Sequence, residues 1–160
     1  MKSIERAHIV VVAGGEQRLI LAADLCRMQV ARASFLPCVA EARDFCRSDS
    51  PDLCLVVFDD WVVDAAPPAE IDAPGRDAGV PSLLLIEIVT PYIRRLARHC
   101  GYFAAVPSRI ERPLLHRRMS AALQHRQSRA VAQARVPSAV SAGVRRLAAE
   151  AAELRKATRH

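Results

Sequence analysis

Pro51-Asp52-Leu53-Cys54-Leu55-Val56-Val57-Phe58-Asp59-Asp60 is the stretch on which the fold turns. Its apolar run, Leu53–Phe58, is continuous rather than alternating, too short for a helix, and preceded by the turn chemistry of Ser48-Asp49-Ser50-Pro51. A strand without alternation is buried on both faces, and the usual setting for that is a parallel sheet with helices on either side. His8–Val12 is a second run of this kind, nearly all β-branched and broken by Gly14-Gly15.

Working outward, strands and helical patterns alternate. Glu16 opens a helix with Leu21, Leu25 and Met28 on one stripe. Residues 30–36 form a weak second strand ended by Pro37, and residues 39–47 a short helix with Ala42 and Phe45 or Cys46 inward. Between 61 and 79 stand Pro67, Pro68, Pro74, Gly75 and Gly79, so that stretch predicts an irregular loop or a damaged helix. Residues 81–89 give a fourth strand. Thr90-Pro91 starts a helix as N-cap and N1, with Ile93, Leu96 and Ala97 inward, Arg94, Arg95 and Arg98 outward, and Gly101 as its cap. A short strand over 103–106 precedes a fifth helix over 112–126, whose stripe is Leu115, Met119 and Ala122.

Five β-α units of this kind predict an α/β fold, flavodoxin-like, with a five-stranded parallel sheet in the order 2-1-3-4-5 inside three α/β/α layers. The functional crevice then lies outside the carboxyl ends of strands one and three. The expected domains are residues 1–126, a linker over 127–139 with a hinge over 131–139, and a basic amphipathic helix over 140–160. In that helix Val144, Leu147, Ala151 and Leu154 form a seam.

The net charge of +6 is uneven. Fifteen Lys/Arg balance fifteen Asp/Glu up to Gln124, whereas the last 36 residues hold eight Lys/Arg against Glu150 and Glu153 alone. A basic tail attracts nucleic acid, anionic lipid or acidic protein without choosing among them. No apolar run reaches the roughly 20 residues of a membrane span, and the first residues lack the apolar core of a signal peptide. The five cysteines are odd in number and form no C-x-x-C pair, so they read as reduced, core-filling thiols of a cytoplasmic protein. The histidines His8, His99, His116, His125 and His160 are scattered, with no spacing that suits a metal site or a triad. Gly14-Gly15 lacks the partners of a phosphate loop and reads as a turn. Trp61 reads as a loop tryptophan folded onto the core.

Over about residues 7 to 125 the chain resembles the receiver domain of two-component response regulators, the CheY-like family. The resemblance rests on Pro51-Asp52-Leu53 leading into an apolar strand, and on the series of helix, Gly101, strand and Ile110-Glu111-Arg112. It implies an aspartate that accepts a phosphoryl group, acidic residues holding Mg²⁺, and a lysine that neutralises the phosphate. In this chain the acidic pair falls on Ala13 and Gly14, and the hydroxyl switch on Ile86, or on Glu87 in a shifted register. The strand-five aromatic falls on Ala105, and the Lys-Pro pair on Ser108-Arg109. The phosphoacceptor falls on Val57 by counting from Pro51, or on Asp59 or Asp60 by reading from the strand end. A Glu16 turned inward and an Arg109 in place of the lysine are the substitutes within reach.

The expectation is therefore a degenerate pseudo-receiver: no enzyme, no metal, no cofactor, and regulation independent of phosphorylation through protein contacts. Partners of that class are a histidine kinase, a transcription regulator or a second copy. They would meet the face of helix four, strand five and helix five, which bears Arg94, Arg95, Arg98, Arg117 and Arg118, or the C-terminal helix. Two other readings stand beside it: a conventional receiver phosphorylated on Asp59 or Asp60, and a nucleic-acid-associated transcription regulator using the basic tail. The second is disfavoured by a tail without aromatics or a helix-turn-helix.

Overall fold

The computed structural model describes residues 3–58, 67–68, 70–135 and 146–153. A 3-10 turn, Ile4–Arg6, leads into β1 (His8–Val12), α1 (Gly15–Arg27), β2 (Arg32–Leu36), α2 (Val39–Asp49), β3 (Leu53–Phe58), β4 (Ser82–Ile86), α3 (Pro91–His99), β5 (Ala104–Pro107) and α4 (Arg112–Arg135). All strand pairs are parallel, and the order is β2-β1-β3-β4-β5, as the sequence pattern predicts. Contacts divide the chain into two units, Met1–Arg126 and Gln127–His160.

The first unit is two apolar layers separated by the sheet. On one face Ile9, Val11, Leu53, Leu55, Leu83 and Leu85 meet Leu21 and Leu25 of α1 and Leu115, Met119 and Ala122 of α4. On the other, Val10, Cys54, Val56, Leu84 and Ile86 meet Val39 and Ala42 of α2 and Ile93 and Ala97 of α3. Alternate residues of one strand thus feed opposite cores, which is why the runs show no polar alternation. Ile71 and Ala73 add to the second core, and the Ala73 N–H donates to the Cys100 carbonyl at 2.9 Å. Residues 74–79 form turns rather than a helix. Gly75 is obligatory there, because an added Cβ would lie 2.2 Å from the Val80 carbonyl oxygen.

Helix ends follow local chemistry. Thr90 Oγ1 accepts from the Ile93 N–H at 3.2 Å, and the Tyr102 N–H returns to the Ala97 carbonyl around Gly101 at φ 87°. Gly15, at φ 52°, makes the turn into α1. Asp52 joins three elements. Its Oδ2 accepts from the His8 N–H at 2.8 Å, and its own N–H donates to the His8 carbonyl. Arg126 of α4 donates to the Pro51 carbonyl and, at 3.4 Å, to Asp52 Oδ1.

Several expectations need correction. α4 runs on through residues 127–135, where a linker and the start of a hinge were expected. Gln127–Arg135 holds no Gly or Pro and is rich in Ala, Gln and Arg, so helix propensity holds through this stretch. Residues 146–153 are helical, with Leu147 68% exposed and Ala151 exposed. Val144 and Leu154 of the proposed seam, and Trp61, lie outside the described residues. Cys46, Cys54 and Cys100 are buried in the core, but Cys26 is exposed on α1. The pattern that buries Leu21 and Leu25 turns Cys26 outward, so that thiol fills no core.

Two outcomes follow for stability. Asp52→Ala removes the acceptor of a strand N–H and strands the Arg126 cation, so denaturant unfolding is expected to show a loss of about 1–3 kcal/mol. Burial raises the Tyr102 phenol far above its ordinary value, and the neighbouring Cys54 and Cys100 add to the rise. The folded state therefore holds the proton longer than the unfolded chain does. That contribution is complete below the ordinary phenol value of 10.0 and is lost progressively as pH climbs above it. Tyr102→Phe should flatten this alkaline loss in unfolding curves taken across that range.

Candidate functional site

The carboxyl ends of β1, β3, β4 and β5 come together in one region, as parallel pairing requires. The register sets Val12 beside Val56, Phe58 beside Ile86, and Ile86 beside Pro107. Just past these ends lie Ala13 and Gly14 from β1, Glu87 from β4, and Ser108 and Arg109 from β5. Ser108 is buried, and its N–H donates to the Ile86 carbonyl at 2.9 Å.

Two adjoining hollows open there. The larger, about 380 Å³, lies between α1 and the turn from β5 into α4. Glu16, Gln17 and Asp24 face Ser108 and Arg109 across it, above an apolar floor that includes Leu21 and Leu115. The smaller, about 210 Å³, is lined by Gly14, Glu16, Gln17, Glu87, Ser108 and Arg109.

The sequence-derived site residues divide into two groups. Gly14 and Ser108 line the smaller hollow together with the substitutes Glu16 and Arg109 and with Glu87, the shifted-register position of the switch. Ala13 and Ile86 are buried instead, at 6% and 0% exposure, and Val57 is half-buried against the α1–α4 core. Asp59 and Asp60 lie outside the described residues. Gln17 was missed in the sequence. Its place one residue after Glu16 in the first turn of α1 was the available signal, but a helix-surface Gln is unremarkable until the fold sets it over the strand ends.

A receiver's Mg²⁺ needs carboxylate oxygens at the end of β1. A methyl group and a hydrogen stand there, and hard cations bind oxygen. Among the described residues no group of three or more His, Cys, Asp or Glu is arranged to hold a metal ion. Glu16 and Glu87 share their hollow with the Arg109 guanidinium, a fixed cation that competes for them. The described residues therefore do not fit the metal. Ile86 is buried at the end of β4, and Ala105 of β5 is partly buried.

A second surface flanks the open edge of β5. Arg94, Arg95 and Arg98 are exposed on α3, and Arg117 and Arg118 are exposed on α4. Among the described residues no helix is long and apolar enough to cross a membrane.

No protein-family model matches this sequence, and comparison with curated proteins finds no match. Solved structures do match. A protein of Burkholderia pseudomallei, provisionally named as pilus assembly-related, superposes with a TM-score of 0.63 at 16% identity, covering 78% of this chain and 94% of that one. The signal receiver domain of a modulated diguanylate cyclase from Desulfovibrio desulfuricans G20 gives 0.59 at 14% identity, covering 78% and 98%. A CheY-like response regulator receiver domain from Methanospirillum hungatei gives 0.55 at 11% identity, covering 78% and 98%. At such identities the likeness is one of fold. The fold of this chain is that of response-regulator receiver domains, a flavodoxin-like α/β/α sandwich.

One measurement probes the site directly. The thermal midpoint of the full chain is expected to stay the same between chelator-treated buffer and buffer with millimolar Mg²⁺, because a bound ion would raise it by mass action. A dose-dependent rise would reveal ligands beyond those described.

Proposed function

We propose that the chain is a signalling regulator of the two-component type that works without accepting a phosphoryl group. Its sheet unit, residues 1–126, serves as a recognition surface for another protein in the cytoplasm. A histidine kinase or a transcription regulator is the class of partner in view. The observation that carries the reading is the chemistry at the strand ends: Ala13 and Gly14 replace the metal-holding carboxylates, and Ile86 replaces the hydroxyl that reports phosphorylation.

Phosphoryl transfer in this kind of pocket is positioning plus electrostatic stabilisation. Without carboxylates at the end of β1 there is nothing to recruit the divalent charge that offsets three phosphoryl oxygens. Arg109 supplies one cation, but Glu16 and Glu87 beside it oppose an incoming anion. What survives from the receiver frame is its shape and its surface. No set of reactive side chains among the described residues points to another catalytic activity, so the reading is a binding protein rather than an enzyme.

Incubation of the full chain with acetyl phosphate and Mg²⁺, followed by intact-mass measurement, provides the test. No added phosphoryl mass is expected, and no change in the spectrum with beryllofluoride. A hydroxylamine-labile phosphoryl group mapping to Asp59 or Asp60 would replace this reading with that of a conventional receiver.

A further inference from the structure

The arginines around the β5 edge have a property that the receiver frame does not require. α3 carries Arg94, Arg95 and Arg98 and no carboxylate. α4, up to the end of the first unit, carries Arg112, Arg117, Arg118 and Arg126 and again no carboxylate. Arg126 is engaged with Asp52 and the Pro51 carbonyl. The other six are exposed, and none pairs with a carboxylate among the described residues.

Their placement follows from helix geometry. His125 lies against Phe103, the residue preceding β5, with ring centroids 5.3 Å apart. Arg118, two turns earlier on the same stripe of α4, therefore lies on the flank nearest the β5 edge. On α3, Arg94 and Arg98 share one flank, opposite Tyr92 and His99. With right-handed crossovers and α3 antiparallel to its strands, the Arg94–Arg98 flank is the one turned toward β5. Among the described residues β5 pairs with β4 alone, and it bears no charge of its own. Among the described residues, exposed carboxylates stand at its two ends, Glu87 and Glu111 at the upper rim and Asp72, paired with Arg76, beside Cys100 at the lower one.

A two-fold pair of identical chains sets such a face against itself, so arginine would meet arginine with no acid to alternate with it. We infer that the α3–β5–α4 face binds a carboxylate-rich surface of a different protein and not a second copy of this chain. This rests on the proposed role as a regulator acting through protein contacts, and it names the chemistry of the partner. Guanidinium groups from two helices match carboxylates in paired hydrogen bonds. Leu114, 45% exposed and one turn before Arg118 on the same flank, supplies an apolar contact beside the charges. That combination suits a protein interface, since a phosphate backbone offers nothing for the leucine to bury against.

The test uses the full chain and fluorescently labelled poly-L-glutamate as the carboxylate probe, with binding read by anisotropy at fixed salt. The combined variant Arg94→Glu, Arg98→Glu, Arg118→Glu is expected to bind about tenfold or more weakly. The tail variant Arg155→Glu, Lys156→Glu, Arg159→Glu is expected to keep most of the affinity. Should the first variant fail to fold, the corresponding Arg→Gln set carries the comparison. Equal binding by wild type and face variants would overturn the inference. So would a wild-type dimer in sedimentation that the face variants dissolve, or a face that binds duplex DNA but not poly-L-glutamate. Phosphoryl labelling is scored separately, so failure of the proposed function and failure of this inference give different results.

Discussion

A parallel sheet cannot present one face to water and still satisfy its connections, and the rest of this structure follows from that. Each crossover returns the chain to the same end of the sheet, so helices must lie on the faces and the strands must be apolar on both sides. Ile9, Val11, Leu53 and Leu55 serve one core while Val10, Cys54 and Val56 serve the other. The same rule sends every strand's carboxyl end to one edge, and so creates a crevice whatever residues occupy it. Asp52 secures the opposite edge, holding the first residue of β1 and the Arg126 side chain of α4 around the start of β3.

A crevice at the strand ends does not by itself fix its chemistry. Of the residues at the strand ends, Gly14 and Ser108 line the crevice, whereas others pack. Ala13 and Ile86 are part of the apolar cores, and Val57 packs against one. What lines the crevice is a set of polar groups with opposed charges, Glu16 and Glu87 beside Arg109. The two carboxylates outnumber the one guanidinium, so the set is net acidic. A second concentration of charge lies on α3 and α4, whose arginines are exposed.

Much of the fold was legible in the sequence because burial leaves a mark on residue type. The runs His8–Val12 and Leu53–Phe58 are strands at the expected residues. Thr90, Pro91 and Gly101 mark the ends of α3 through local backbone chemistry that needs no tertiary context. Where a signal is absent, prediction drifts. The linker was expected from residue 127 because hydrophobic patterning fades after Arg126, although the helix continues to Arg135. Cys26 was grouped with buried thiols on residue type alone, although the stripe of Leu21, Leu25 and Met28 already turns it outward. Gln17 was overlooked for a similar reason, since only the packing of α1 over the strand ends gives it a role.

By itself, the sequence determined the class of fold and the order of its elements, since those depend on residue type at local positions. Tertiary structure decided which groups share the crevice. Glu16, Glu87 and Arg109 are separated by dozens of residues and meet only when three strand ends are brought side by side. It also decided that arginines from two helices flank the same edge strand, with Arg118 placed there by the packing of His125 on Phe103. Residue type is a local property, but charge complementarity belongs to surfaces, and a surface exists only once distant segments have packed together.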